Sequence, residues 1–206
     1  MMDSNLIKNI IESALLTSDK PLSIDKLCKI FLDKDRPDRK VIKNIILDLG
    51  VEYKNRGIEI KEVSSGFRVQ VKKDIVSWLK PLWEERSPRY SRALLETLAL
   101  IAYRQPITRG EIEEVRGVAL SSNIIRTLFD RGWIRSLGYK DVPGKPSLLG
   151  TTNEFLDYFN LKKLDELPPL SEIKEVDDLD IYLGRSPSPQ GDMLEDLSSE
   201  SSKIEH

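Results

Sequence analysis

Two four-residue stretches, Lys20-Pro21-Leu22-Ser23 and Gln105-Pro106-Ile107-Thr108, stand 85 residues apart and hold the same place in two longer runs. Before each lies an apolar stripe at helical spacing. The first is Leu6, Ile7, Ile10, Ile11, Ala14 and Leu15; the second is Leu94, Leu95, Leu98, Ile101 and Ala102. After each comes a second amphipathic run that opens on a hydroxyl residue, where a helix N-cap is needed. A chain built twice on one plan buries its apolar faces in two small cores of like design.

The first copy begins with a helix over 4–17. Ser23 caps a second helix to about Leu32, with Ile24, Leu27, Cys28 and Phe31 inward. The charged run Asp33 to Lys40 reads as a linker. A third helix runs from about Asp38 to Tyr53 with Val41, Ile42, Ile45, Ile46 and Leu49 buried, and Gly50 is either a defect or an early stop. The period then changes to two. Ile58 and Ile60, then Phe67, Val69 and Val71, alternate with polar residues across Ser64-Ser65-Gly66, a β-hairpin. Asp74 caps a connector helix holding Ile75, Trp78, Leu79 and Trp83, which either packs between domains or faces a partner. Ser87-Pro88 breaks the chain.

The second copy opens with a helix from Ser91 to Tyr103. Gln105 precedes a proline and is pushed toward extended geometry, which ends it. Thr108 and Glu111 have capping-box spacing, Ile112 and Val115 face inward, and Gly117 stands where a left-handed cap is needed. Ser121 or Ser122 caps a third helix with Ile124, Ile125, Leu128 and Phe129 inward, ended by Arg131-Gly132. Trp133-Ile134 starts a strand, Asp141 to Pro146 forms a wing tip, and Leu148-Leu149 returns. Asn153 caps a last helix with Phe155, Leu156 and Phe159.

Three helices and a hairpin, twice over, predict a mainly α fold with small β-hairpins (α+β): two tandem winged-helix domains. The first, with its connector helix, spans 1–86 and the second 87–168. Residues 169–206 are expected to be a disordered acidic tail. Ser186-Pro187-Ser188-Pro189 and the serine-rich end bury too little apolar surface to offset ordering entropy. Its two sparse apolar patches, Leu179 to Leu183 and Met193 to Leu197, are docking peptides or solvated tail.

Composition narrows the chemistry. The sole histidine is His206 and the sole cysteine Cys28, so a histidine triad and a His/Cys zinc cluster are excluded. Cys28 sits among Leu27, Ile30 and Phe31 and reads as a small buried residue. Neither common Gly-rich phosphate loop occurs. No carboxylate pair has spacing that argues for acid/base work, so no catalytic residue is nominated, and neither a cofactor nor a metal is expected. No apolar run reaches membrane-spanning length, and no basic stretch leads into an apolar core at the start. The expected compartment is the cytoplasm. The net charge of −2 conceals an asymmetry: residues 164–206 hold 12 acids and 3 bases, leaving 22 acids and 29 bases in the rest. A mildly basic body with an acidic tail suits a nucleic-acid partner, an acidic protein partner, or self-screening.

Tandem winged helices bind DNA or proteins. A DNA reader needs bases on the exposed face of its third helix and on its wing. The second copy offers Arg126 and Arg131, with Ser121, Ser122 and Asn123, and wing residues Lys140 and Lys145. In the first, Arg36, Arg39, Lys40 and Lys43 are diluted by Asp35, Asp38 and Asp48. That suits weak backbone contact better than base reading. The duplication, the Trp-bearing connector and the modest basicity fit a protein-binding module somewhat better, and the residues alone leave the choice near even.

The stretch from Glu96-Thr97-Leu98 through Arg104-Gln105-Pro106-Ile107-Thr108-Arg109-Gly110-Glu111 to Arg116-Gly117-Val118 resembles the signature of the ScpB family, the segregation and condensation protein B subunits. So do Lys140-Asp141-Val142-Pro143-Gly144-Lys145-Pro146, Gly150-Thr151-Thr152, Glu154-Phe155-Leu156 and Asp165-Glu166-Leu167-Pro168. The likeness covers about 4–168 in architecture, with its specific motifs in 94–168. Lys145 stands where the family usually has Arg, Leu149 where it has an aromatic, and Tyr139 where it often has Arg. These departures weaken any bidentate arginine contact at the wing.

The resemblance implies a non-enzymatic subunit of the bacterial condensin-like SMC–kleisin complex, active in chromosome condensation and segregation during cell division and located at the nucleoid. It implies a homodimer formed mainly through the first winged helix, with contacts expected on the first helix and the 37–55 helix. The dimer would grip the central region of the kleisin ScpA and reach the SMC ATPase through it, touching chromosomal DNA indirectly or weakly. The second domain would be the main kleisin surface, with Tyr103, Arg104, Gln105, Arg109, Glu113 and Arg116 as partner-binding residues. Fold support is the competing role for Tyr103 and Arg116. The alternative function is a winged-helix DNA-binding transcriptional regulator.

Overall fold

A computed structural model describes residues 3–79, Leu82 and 90–169. Helix α1 (Ser4–Thr17) is capped by the Asp3 carboxylate, which accepts from the Asn5 amide. Helix α2 (Ile24–Cys28) is capped by the Ser23 hydroxyl and stops four residues short of the predicted Leu32. The chain tightens there into i→i−3 bonds, Ile30 to Leu27 and Phe31 to Cys28, which turn Phe31 into the core. Helix α3 (Arg39–Glu52) runs straight through Gly50. Ile42, Ile45, Ile46 and Leu49 are buried, but Val41, predicted inward, lies on the flank of that stripe in the first turn and is exposed. Ile11, Leu15, Leu27, Cys28 and Phe31 complete the first core.

Strands β1 (Ile58–Val63) and β2 (Gly66–Val71) pair antiparallel from Ile58↔Val71 to Val63↔Gly66, with Ser64-Ser65 as the turn. Leu22 exchanges both backbone hydrogen bonds with Phe67, at 2.8 and 2.9 Å. The approach is so close that a Cβ on Gly66 would sit 2.3 Å from the Leu22 carbonyl oxygen, and Gly66 has φ +140°. Only glycine fits. The connector α4 (Lys73–Leu79) begins one residue before Asp74, which lies in the first turn instead of capping it. Trp78 is 81% exposed, so the expected packing of this residue between domains is not found. Trp83 and Ser87-Pro88 lie outside the described residues, as do both apolar patches of the tail.

The second copy repeats the frame. Helix α5 (Arg92–Arg104) is capped by Ser91 and buries Leu94, Leu95, Leu98, Ile101 and Ala102 as its periodicity predicts. Strand β3 (Ile107–Thr108) pairs with β5, Ile107 opposite Leu149. Ile107 and Leu22 stand 85 residues apart and make the same bridge to the returning wing strand. Helix α6 (Arg109–Arg116) carries the predicted capping box and ends at Gly117 with φ +68°. Helix α7 (Ser122–Asp130) is capped by Ser121. It closes in a Schellman motif, Gly132 N–H to Phe129 C=O and Trp133 N–H to Leu128 C=O.

Strands β4 (Ile134–Tyr139) and β5 (Ser147–Thr151) complete a sheet of order β3-β5-β4, with a bulge between Ser136 and Gly138. Helix α8 (Asn153–Tyr158) is capped by Thr152, one residue before the predicted Asn153. Its Phe155, Leu156 and the following Phe159 join Leu128 and Trp133 in the second core.

Two inward assignments fail in this copy. Val115 is 45% exposed because α6 turns Ile112 and Arg116, four residues apart, toward the rest of the domain. Phe129 is exposed because Leu128, its neighbour, takes the core position.

Candidate functional site

The six predicted partner-binding residues lie on the helix-turn-helix of the second copy and divide into three groups. Gln105 faces the wing strand. Its amide N–H₂ donates to the Ala102 carbonyl and the Thr151 hydroxyl, both at 3.0 Å, and its Oε1 accepts from the Thr151 amide at 2.8 Å. A Cβ on Gly150 would meet that Oε1 at 2.8 Å, so glycine lets the clamp close. Beside it, the Tyr103 hydroxyl donates to the Pro168 carbonyl, and burial raises its pKa. Arg104, between them, is exposed.

Arg109 and Glu113 form the second group. The guanidinium donates to the Glu113 carboxylate at 3.1 Å, to the Ser122 hydroxyl at 3.1 Å and to the Leu120 carbonyl. Glu113 also accepts from the Leu120 amide at 2.8 Å, and that bond, then Arg109, lowers its pKa. The pair ties the α6–α7 turn shut while keeping a solvent-facing edge. Arg116 stands apart with only 12% of its side chain exposed, donating to Glu96 at 3.2 Å and to the buried Thr97 hydroxyl at 3.3 Å.

At the wing, Lys140 donates to Glu111 at 2.7 Å. That contact, followed by the bonds from Thr108, lowers the Glu111 pKa to about 2. Lys145 is exposed in the wing loop at φ +38°.

The motif therefore spends most of its polar groups on its own fold. Among what it leaves uncovered are two aliphatics, Val115 on α6 and Val118 in the following turn, the latter 56% exposed. Periodicity placed Val115 in the core and passed over Val118; two aliphatics either side of the Gly117 cap were the available signal. On α7, Arg126 lies 3.7 Å from Asp130 with its side chain 80% exposed, and the Arg131 guanidinium lies over the rings of Tyr90 and Trp133. Phosphate-seeking groups are scarce where a reading helix would need them. Among the described residues no helix is long and apolar enough to cross a membrane.

The fold describes a tandem winged-helix protein whose second helix-turn-helix spends most of its polar groups on its own packing. Residues 9–170 match the family model of the segregation and condensation complex subunit ScpB. The segregation and condensation protein B homolog of Coxiella burnetii is 52% identical over 177 residues, covering 86% of this chain and 85% of that one. Segregation and condensation protein B of Geobacillus thermodenitrificans is 45% identical over 169 residues, covering 80% and 78%. ScpB from Mycobacterium tuberculosis, a solved structure, is 31% identical and covers 76% and 96% of the two chains. Its TM-score is 0.36, too low to bear on how the domains are arranged. The chain belongs to the ScpB family, subunits of the segregation and condensation complex.

Proposed function

We propose that this chain is a non-enzymatic, homodimeric subunit that binds the central region of the kleisin ScpA and reaches the SMC ATPase through it, at the nucleoid. The family match over residues 9–170 carries the reading. Residues 1–86 form the dimerising winged helix with its connector, residues 87–168 the main kleisin-binding one, and residues 169–206 an acidic tail. Contact with DNA is indirect or weak, since α7 and its cap offer only two bases, Arg126 and Arg131, and Arg131 lies over aromatic rings.

For dimerisation the supporting surface is the outer face of α3. Leu47 and Val51, four residues apart, are both exposed and line a groove with Gly50, Ile60 and Phe67. For the kleisin it is the exposed edge of the motif, Arg104 and the Arg109–Glu113 pair, with the separate exposed aliphatics Val115 and Val118. Tyr103, Gln105 and Arg116 position that edge. Lys140 and Lys145 extend it at the wing.

Sedimentation tests the first surface, with a dimer expected for the natural chain and a monomer for Leu47→Asp. Pull-down of ScpA tests the second. Arg104→Glu with Val118→Asp is expected to lower retention at least tenfold with the melting temperature unchanged. A monomer that ignores ScpA and binds one DNA sequence at nanomolar affinity in physiological salt would overturn the reading.

A further inference from the structure

The first hairpin does not end in solvent. The Ser64 amide donates to the Leu161 carbonyl at 3.0 Å and the Ser64 hydroxyl to Asn153 Oδ1 at 3.3 Å. The Ser65 amide donates to Asp157 Oδ1 at 2.9 Å, and Arg68 Nη2 to Asn160 Oδ1 at 2.7 Å. Lys162 pairs with Glu62. Val63, at the foot of the turn, is only 3% exposed although it belongs to neither core cluster. The tip of a two-stranded hairpin ordinarily leaves such a side chain wet. Burial of that depth marks a seam with the second winged helix.

The receiving surface is built into α8. Asn153 and Asp157, four residues apart, share one side of α8 and Asn160 follows in its closing turn, while Phe155, Leu156 and Phe159 fill the core. A Schellman closure ends the helix, Asn160 N–H to Asp157 C=O and Leu161 N–H to Leu156 C=O, with Asn160 at φ +60°. Asparagine tolerates that conformation. An acid in the last turn of a helix opposes the helix dipole. Asp157 is compensated from outside its own domain, by the Ser65 amide and by the charge of Arg68.

We propose that the first wing is a clasp between the two winged helices: Ser64, Ser65 and Arg68 grip the polar side of α8 and its closing turn and hold both domains as one body. Contacts between domains of one chain are by default small and mobile. This one is specific on both sides and combines five polar links with one buried valine. Two consequences follow. The first wing, being occupied, is closed to a nucleic-acid groove. The clasp also fixes the spacing between the exposed faces of α3 and α6.

Paired cysteines in the full chain test it, with Cys28→Ala as background so that no third thiol competes. Ser64→Cys with Asn153→Cys replaces two side chains already in contact. Mild oxidation is expected to close an intramolecular disulfide, seen as a faster-migrating monomer on a non-reducing gel, at a rate independent of protein concentration. Arg68→Glu in that background is expected to slow closure at least tenfold. Asp157→Ala, which leaves α8 a better helix former, is expected to slow it at least threefold without lowering the melting temperature. No cross-link, one whose rate rises with protein concentration, or closure indifferent to both substitutions would overturn the proposal. The concentration-dependent result would place the contact between copies.

Discussion

The two winged helices share a frame and differ in how it is fastened. At positions 85 residues apart, Ser23 and Thr108 each cap the second helix of their copy. Three residues later the first copy has Lys26, which has no acceptor to return the bond, and the second has Glu111, which does. At the preceding pair, Lys20 is exposed while Gln105 grips the wing strand. The first copy instead relies on backbone contact at Gly66 and on the other domain, which holds its wing. One fold thus tolerates two solutions, side-chain hydrogen bonds in one copy and close backbone approach in the other.

The largest expected loss is Gly66→Ala. A Cβ 2.3 Å from the Leu22 carbonyl at φ +140° leaves no conformation that fits. The first winged helix should lose on the order of 3 kcal/mol in urea unfolding followed by near-UV circular dichroism. Gln105→Ala strands the Thr151 amide and should cost about 2 kcal/mol, whereas Lys20→Ala at the matching position should be silent. Equal losses at both positions would erase the contrast.

The caps come next. Thr108→Ala breaks a reciprocal pair and should cost about 1.5 kcal/mol, against about 1 for Ser23→Ala.

A pH series sharpens the same contrast more gently. The folded pKa of Glu111, about 2, lies below its ordinary 4.5. Its contribution is therefore complete above pH 4.5 and is lost as pH falls toward 2. Glu111→Gln should flatten that limb of the urea midpoint against pH, and Lys26→Gln should leave it unchanged. The smallest effect is Gly110→Ala near the start of α6, where a Cβ meets nothing within 4 Å; a gain of about 0.5 kcal/mol in the melting curve is expected.

Much of this was legible before any coordinates. The capping box needs only Thr108 and Glu111, three residues apart, and the left-handed cap only Gly117. Both cores follow from stripes within single helices. Periodicity finds a stripe but not how much of its flank the rest of the fold covers, which is why Val41, Val115 and Phe129 were placed inside and lie outside. Gln105 reads as a polar group on a motif because its partner Thr151 is 46 residues away. The clasp was invisible for the same reason, its partners being 89 and 92 residues apart in the chain. Asn153 could be read as a cap precisely where Thr152, one position earlier, does that work and frees it for Ser64.

The bulge in β4 bears on how the second wing meets its surroundings. Strand β4 is the outer strand of its sheet, and an open edge invites any extended segment to add itself as another strand. Gly138, at φ +140° within the break in register, bends that edge, and the exposed Arg135 brings charge to it. A second chain arriving there finds a twisted, charged margin instead of a flat ladder of amides. The bend sets the exposed Leu137 and Tyr139 on a strand edge that is poorly shaped to template a further strand.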